Sequence, residues 1–143
     1  MLRYPKTVLV DTGFWIAFYD RRDNHHAQAH LKEHYLKSMN ILVPWPSLYE
    51  TFNTRFAKNR IAVRSFDALL RQTHVERLDD VPYREKAFDE AVGTALIGSR
   101  SISLVDMVIR QILDDINVHK DGLLTFDLEG FSDICSKHRI EIL

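Results

Sequence analysis

The segment Thr7-Val8-Leu9-Val10-Asp11 is a continuous apolar run, rich in β-branched residues, that ends at an acid. Uninterrupted apolar positions predict a strand buried on both faces, as in a parallel sheet covered by helices. A short helix is predicted immediately afterwards, from Thr12 to Tyr19. The acid therefore lies at the carboxyl end of a buried strand, which is where ligands bind in open α/β sheets.

The same alternation continues along the chain. Further strands are predicted at 41–43, around 75, at 122–126 and at 140–143. Helices are predicted at 25–38, at 47–59, within 61–72, from Pro82 to about 97, and from Ser103 onward, the last with an apolar side of Val105, Val108, Ile109, Ile112 and Ile116. Strands separated by helices require crossover connections, which predicts an α/β fold with a mostly parallel sheet and helices on both faces.

Length and composition predict one domain spanning 1–143. The single cysteine, Cys135, excludes an internal disulfide framework and favours a reducing, cytoplasmic location. No apolar run approaches the ~18 residues of a membrane span, and the N-terminal run is too short for a secretory signal. The formal net charge of −1 disfavours a nucleic-acid binder that depends on a broad basic surface.

Four acids stand where a functional site is expected. Asp11 and Asp127 end predicted strands, and Glu50 and Asp106 lie in the first turns of predicted helices. Carboxylates that converge at one sheet edge repel one another unless a cation neutralises them. Hard oxygen ligands suit Mg²⁺ or Mn²⁺ better than Zn²⁺.

Each acid also has a structural interpretation, and the sequence leaves it open. Asp11 is a good N-cap for the following helix, and Asp127 is suited to opening a turn. Ser47 and Ser103 each precede an acid by three residues, the spacing of a capping box for Glu50 and Asp106. A helical wheel places Leu48, Phe52 and Phe56 on the apolar side, with Asn53 beside Glu50 on the other.

The ordered motifs VLVDTGFW, PSLYE ending at Glu50, SLVD ending at Asp106 and LLTFD ending at Asp127 resemble the PIN-domain nucleases, most of all the VapC-type toxins. The resemblance implies strand order 3-2-1-4-5 and metal-dependent cleavage of RNA with Mg²⁺ or Mn²⁺. It also implies an antitoxin partner and a homodimer. Asp11, Glu50, Asp106 and Asp127 would be the metal-binding, catalytic acids, supported by Thr12 and Thr125. Three residues separate Asp127 from Phe131, more than is usual in the family, so Glu129 is an alternative fourth acid.

Residues around these acids give secondary predictions. Asn53 is expected to line the groove. RNA-contact candidates are Arg55, Lys58 and Arg110, followed by Arg21, Arg22, Arg60 and Arg100. For Arg110 the alternative is a helix ion pair with Asp106. An antitoxin cation is expected to pair with Glu50 or Asp106. The rest of its tail is expected to lie on exposed apolar residues of the first helices, such as Phe14, Trp15 or Phe18, with the alternative that some of these three are core residues.

Three alternatives remain open at this stage. His26, His30 and His34 have i, i+4, i+8 spacing, which permits a zinc site, although a solvated helix with partly packed imidazoles is favoured. A PIN-like binding or scaffold module would keep the acids only as helix caps. A structure-specific DNA nuclease of related fold is the other enzymatic alternative.

Overall fold

The centre of the molecule is a parallel sheet, and the computed structural model describes residues 5–98 and 101–143. Within these residues the strands are β1 (Thr7–Val10), β2 (Asn40–Pro44), β3 (Val75–Leu78), β4 (Gly122–Leu124) and β5 (Glu141–Ile142). Their order is β3-β2-β1-β4-β5, and every pairing is parallel. The predicted fold class and strand order are confirmed.

Helices cover both faces of the sheet. Those of the first group are α1 (Thr12–Tyr19), α2 (His26–Leu31), α3 (Glu33–Ser38), α4 (Trp45–Phe52) and α5 (Arg60–Leu70). Those of the second are α6 (Arg84–Ile97), α7 (Leu104–Asp114) and α8 (Leu128–His138), and 3-10 turns lie at Arg55–Lys58 and Val81–Tyr83. No helix in the described part of the chain is long and apolar enough to cross a membrane.

Alternate residues of the strands enter two separate cores. Val8 and Val10 pack with Phe14, Trp15 and other residues of the first group of helices. Leu9 and Leu123 face the other way, into a core built from α6, α7 and α8. A strand with apolar side chains on both faces has to be covered twice, which explains why the β1 segment is apolar throughout.

The order of the strands places a crevice beside β1. After β1 the chain builds β2 and β3 on one side and then returns to add β4 and β5 on the other. Val10 pairs with Leu124, and the backbone N–H of Asp11 donates to the carbonyl of Leu124 at 3.0 Å. In sheets of this kind, the crevice at the carboxyl ends of the strands flanking such a reversal is the preferred ligand site.

Two predicted helices are divided in the structure. The predicted helix at 25–38 breaks at Lys32, whose N–H bonds to Ala29 instead of continuing the i−4 pattern. The predicted helix at 47–59 is α4 followed by the first 3-10 turn, because the Thr54 hydroxyl bonds back to Thr51 and also accepts from Phe56. Helix α4 begins at Trp45 and has Pro46 in its first turn. Proline is accepted there because backbone N–H groups in the first turn of a helix have no partner within the helix, so the N–H that proline lacks is not needed.

Other predictions needed smaller corrections. Helix α8 was not predicted, although Asp127 caps its start and Phe131 and Cys135 lie one turn apart on its buried side. Ile116, assigned to the apolar side of α7, lies beyond the end of that helix and is 84% exposed. Strands β4 and β5 are shorter than the predicted runs, because only Gly122–Leu124 of the first run and Glu141–Ile142 of the second pair as strands.

Candidate active site

Asp11 is the buried centre of the site, with only 6% of its surface exposed. It is the N-cap of α1, and its carboxylate accepts hydrogen bonds from the N–H of Thr12 at 2.7 Å and the hydroxyl of Thr125 at 2.9 Å. The pKa of Asp11 is raised to about 7, chiefly by burial. The nearby charges of Asp106 and Glu50 contribute to this rise, and the two hydrogen bonds oppose it. The site therefore holds a carboxylate that is costly to ionise without a cation.

Thr125 joins two of the predicted acids. Its buried hydroxyl donates to Asp11 and accepts from the backbone N–H of Asp127 at 2.9 Å. The loop after β4 is thus fixed relative to the end of β1. The other predicted supporting hydroxyl, Thr12 Oγ1, is buried and has no hydrogen-bond partner among the described residues.

Asp127 is exposed and caps α8 by accepting from the N–H of Gly130 at 2.9 Å. A Cβ atom at Gly130 would overlap this carboxylate, so glycine there permits the observed position of Asp127. This role of Gly130 was not predicted, although a glycine three residues after a capping acid is visible in the sequence. Glu129, the alternative fourth acid, lies exposed in the first turn of α8.

Asp106 and Glu50 complete the group. Ser103 caps α7 by accepting from the N–H of Asp106 at 3.1 Å, as the capping pattern predicted. Burial raises the pKa of Asp106, and the charges of Glu50 and Asp127 raise it further. Asp106 thus interacts with two of the other acids and also raises the pKa of Asp11, so the four carboxylates share one electrostatic environment.

Glu50 caps no helix, unlike Asp11 and Asp127. The predicted capping role of Ser47 is wrong, because α4 begins at Trp45 with Pro44 as its N-cap, which leaves Ser47 inside the helix. The Ser47 hydroxyl is buried without a partner among the described residues, and the Glu50 carboxylate makes no hydrogen bond or ion pair with any of them. The wheel placed Glu50 correctly away from Leu48, but Phe52, assigned to the apolar side, is 44% exposed.

The arrangement is open rather than a closed coordination sphere. Across residues 5–98 and 101–143, no three histidine, cysteine, aspartate or glutamate side chains are grouped tightly enough to hold a metal ion. Like charges repel, so carboxylates without a counterion are expected to stay apart. The chemistry of the donors, all carboxylate oxygens with hydroxyls nearby, still fits Mg²⁺ or Mn²⁺.

The predicted RNA-contact residues differ in whether an acid already pairs with them. Arg55 forms an ion pair with Asp20. Arg110 binds both carboxylate oxygens of Asp133, at 2.7 and 2.8 Å, so its alternative pairing with Asp106 is wrong. Lys58 is exposed and has no ion pair in the part of the chain that is described. Asn53 is exposed and lines the same groove as Glu50, whereas Arg100 lies outside the described residues.

The histidine-rich segment does not form a metal cluster within the described ranges. Ring nitrogens of His26 and His30 donate to carbonyl oxygens in the last turns of α1, at 2.8 and 3.1 Å. His34 donates to the carbonyl of Leu31 at 3.0 Å. The imidazoles therefore bind backbone carbonyls at helix ends, as expected for partly packed side chains.

Two aromatic residues expected to contact an antitoxin tail are core residues instead. Phe14 and Trp15 are fully buried and pack edge to face with a centroid distance of 5.8 Å. Phe18 is only partly buried and stacks on the imidazole of His30. Of the three residues, only Phe18 keeps a partly accessible surface.

Solved structures of two other proteins share this fold. VapC20 from Mycobacterium tuberculosis, described as a toxin that cleaves the sarcin–ricin loop, superposes with a TM-score of 0.68 at 18% identity, over 88% of this chain and 94% of that one. VapBC2 from Rickettsia felis, solved bound to a DNA fragment from its promoter, superposes with a TM-score of 0.60 at 14% identity, over 96% and 97%. No protein-family model and no curated protein sequence matches the chain. The chain thus has the VapC-like PIN fold that the sequence motifs implied.

Proposed function

We propose that this chain is a cytoplasmic, metal-dependent endoribonuclease and the toxin of a toxin–antitoxin pair. The observation that carries the proposal is Glu50, an acid with no capping role and no partner among the described residues, placed close enough to raise the pKa of both Asp11 and Asp106. A protein gains no stability from such a charge. RNA as the substrate is supported by VapC20, which has the same fold and is described as cleaving an RNA loop.

The residues of the site divide the work between them. A Mg²⁺ or Mn²⁺ ion held by Asp11, Glu50, Asp106 and Asp127 would neutralise the developing phosphate charge and lower the pKa of an attacking water. Thr125 keeps Asp11 and Asp127 in fixed relation through its two hydrogen bonds. The unpartnered hydroxyl of Thr12 is available to hydrogen-bond a water or a phosphate oxygen beside them.

The test is an RNA cleavage assay with Mn²⁺, with Mg²⁺ and with EDTA. We expect cleavage with either metal, none with EDTA, and an unchanged circular-dichroism spectrum, because the two apolar cores hold the fold. Glu50→Gln should lose cleavage without losing stability, whereas Glu141→Gln, on the exposed side of β5, should behave as the original protein. Metal-independent cleavage, or full activity of Glu50→Gln, would contradict the proposal.

A scaffold function is the second candidate, because the carboxylates of Asp11 and Asp127 cap helices and Asp106 lies in the first turn of α7. Titration with Mn²⁺ separates the two, since only a ligand that binds the folded state raises the melting temperature. A nuclease should be stabilised by millimolar Mn²⁺, and Glu50→Gln should be stabilised less. Structured DNA substrates in the cleavage assay test the alternative of a DNA nuclease.

Gly130→Ala offers a test of Asp127 that leaves every acid in place. The new methyl group overlaps the Asp127 carboxylate and displaces it, and misplacement of a catalytic group by about 1 Å costs on the order of a hundredfold in rate. Stability should change by less than about 1 kcal/mol, because the lost cap is offset by the better helix propensity of alanine. Cleavage rates and urea unfolding measure both effects.

Gly93→Ala is the matched control, because a Cβ atom there contacts nothing within 4 Å. It should gain stability and retain cleavage. If Gly130→Ala cleaves RNA as fast as Gly93→Ala, the position of Asp127 is not required for catalysis.

An antitoxin would inhibit by placing a lysine or arginine against Glu50 or Asp106. Such a cation neutralises the carboxylates as a metal ion would. Once the ion pair is buried it resists dissociation, because withdrawing the cation would leave the carboxylate charge buried without a partner. The apolar part of the antitoxin has to lie elsewhere than on Phe14 and Trp15, which are core residues.

A homodimer is proposed through the outer face of α6. Phe88, Val92 and Leu96 are spaced at i, i+4 and i+8 and are all exposed. A stripe of large apolar residues on one helix face is typical of a protein contact rather than of free surface. Val92→Glu should convert a dimer to a monomer in sedimentation equilibrium, whereas Asp89→Asn on the same helix should leave the mass unchanged.

A further inference from the structure

The exposed side of α4 carries three aromatic residues next to the acids. Trp45, Tyr49 and Phe52 are 37%, 69% and 44% exposed. With Glu50 and Arg77 they line a groove of about 840 Å³, which we call the α4 groove. Helix α4 follows directly from β2, so the groove begins at the same edge of the sheet as the acids.

The α4 groove is lined by three charged residues, Glu50, Asp67 and Arg77. Glu50 belongs to the acidic group at one part of the lining. The guanidinium of Arg77 lies 5.7 Å from the ring centroid of Trp45 and makes no ion pair with the described residues. Asp67, the other acid in the lining, is paired with Arg71 at 2.9 Å. The groove therefore offers aromatic faces beside a site proposed to hold a phosphodiester, together with a guanidinium that has no ion pair among the described residues.

We propose that the α4 groove binds unpaired RNA bases next to the bond that is cleaved, with bases stacking on Trp45 and Tyr49 and Arg77 contacting a phosphate. This inference rests on the proposed function. Bases that are not paired stack readily on aromatic side chains, and this is a common way to hold single-stranded RNA. With a net charge of −1, the chain has little general attraction for the RNA backbone, so stacking has to supply much of the affinity.

The two tryptophans of the chain make this measurable. Trp15 is fully buried and Trp45 is exposed, so quenching of tryptophan fluorescence by added RNA reports stacking on Trp45. The probe is an unstructured eight-nucleotide RNA added to the metal-free protein in EDTA, with the corresponding duplex as comparison. We expect the single strand to quench and the duplex not to quench, because paired bases are already stacked.

Variants assign the effect to the groove. Tyr49→Ala should weaken RNA binding about five- to a hundredfold, the range found when a stacking ring is removed, and Tyr49→Phe should bind as the original does. Trp45→Ala should slow RNA cleavage whereas Trp45→Phe retains it, and the remaining Trp15 fluorescence checks that the core is intact. Arg77→Gln should weaken binding and reduce its salt dependence, unlike Arg64→Gln on the exposed part of α5.

The outcomes separate this inference from the proposed function. RNA cleavage that is unaffected by Trp45→Ala and Tyr49→Ala would overturn the groove assignment and leave the nuclease intact. Quenching by RNA without any cleavage would support the groove and contradict the nuclease. Equal quenching by duplex and single strand would overturn the inference, and so would conversion of a dimer to a monomer by Tyr49→Ala, which would make a second copy the occupant.

Discussion

Asp11→Asn is expected to reduce RNA cleavage by about a hundred- to a thousandfold, the loss typical of removing one group that stabilises a transition state electrostatically. Asparagine has nearly the same shape, and its side-chain oxygen can still accept from the N–H of Thr12 as the carboxylate does at 2.7 Å. The hydroxyl of Thr125 can rotate to accept from the new amide instead of donating. The substitution therefore removes a charge and leaves the hydrogen-bond pattern of the site largely in place.

The measurement is the rate of cleavage at saturating Mn²⁺, accompanied by the affinity for Mn²⁺. Asp89→Asn is the matched control, because Asp89 is exposed on α6 and is not among the charges that shift the pKa of Asp11 or Asp106. We expect the control to cleave at the original rate. If Asp11→Asn retains Mn²⁺-dependent cleavage, Asp11 is not a catalytic residue. The proposal that the site is centred on the end of β1 would then be wrong.

The sequence was sufficient for those parts of the site that depend on strand ends. An apolar run that ends at an acid can be read locally, so Asp11 was placed directly after β1, whereas Asp127 lies three residues beyond the end of β4 and caps α8. Their connection through Thr125 depends on β1 and β4 being neighbours. That adjacency came only from the family resemblance, because apolar periodicity does not reveal which strands pair.

The parts that could not be predicted depend on tertiary contacts. Phe14 and Trp15 look like a surface aromatic pair or a core pair equally well, and only the packing of α1 against β1 decides that they are core. The arginine partners were equally ambiguous in the sequence. Arg110 pairs with Asp133 of α8 and not with Asp106, which lies on the same helix as Arg110. The α4 groove was not predicted, because Arg77 lies on β3, far from Trp45 in the sequence, and meets it only in the folded protein.

The capping patterns gave the most informative failure. Ser103 caps α7 as predicted, but the same spacing at Ser47 has no capping function, because Pro44 and Pro46 allow the helix to begin two residues earlier. The sequence pattern is the same at both helices, so only the structure shows that Ser103 caps its helix and Ser47 does not. The failure matters for function, because it leaves Glu50 without a structural explanation.

The pH dependence of stability provides the second large effect, measured on the protein without metal. The pKa of Asp11 is about 7 in the folded protein against an ordinary value of 3.8, so between these pH values the folded state keeps a proton that the unfolded state has released. The free energy of unfolding should therefore fall as the pH rises from about 4 to 7, by at most about 4 kcal/mol, and then level off. Asp106, whose pKa is also raised, adds a change of the same sign.

Urea unfolding in EDTA at a series of pH values measures this, and the difference between the original protein and Asp11→Asn reports the titration of Asp11 together with its coupling to Asp106 and Glu50. The two proteins should be similarly stable near pH 4, and Asp11→Asn should be the more stable at pH 8, because it has no buried charge to ionise. Mn²⁺ at pH 8 should restore the stability of the original protein and have much less effect on the variant. A difference in stability between the two proteins that stays constant with pH would contradict this prediction. It would show that Asp11 has the same pKa in the folded protein as in the unfolded chain, so that ionising it in the site costs no free energy that a metal ion could recover.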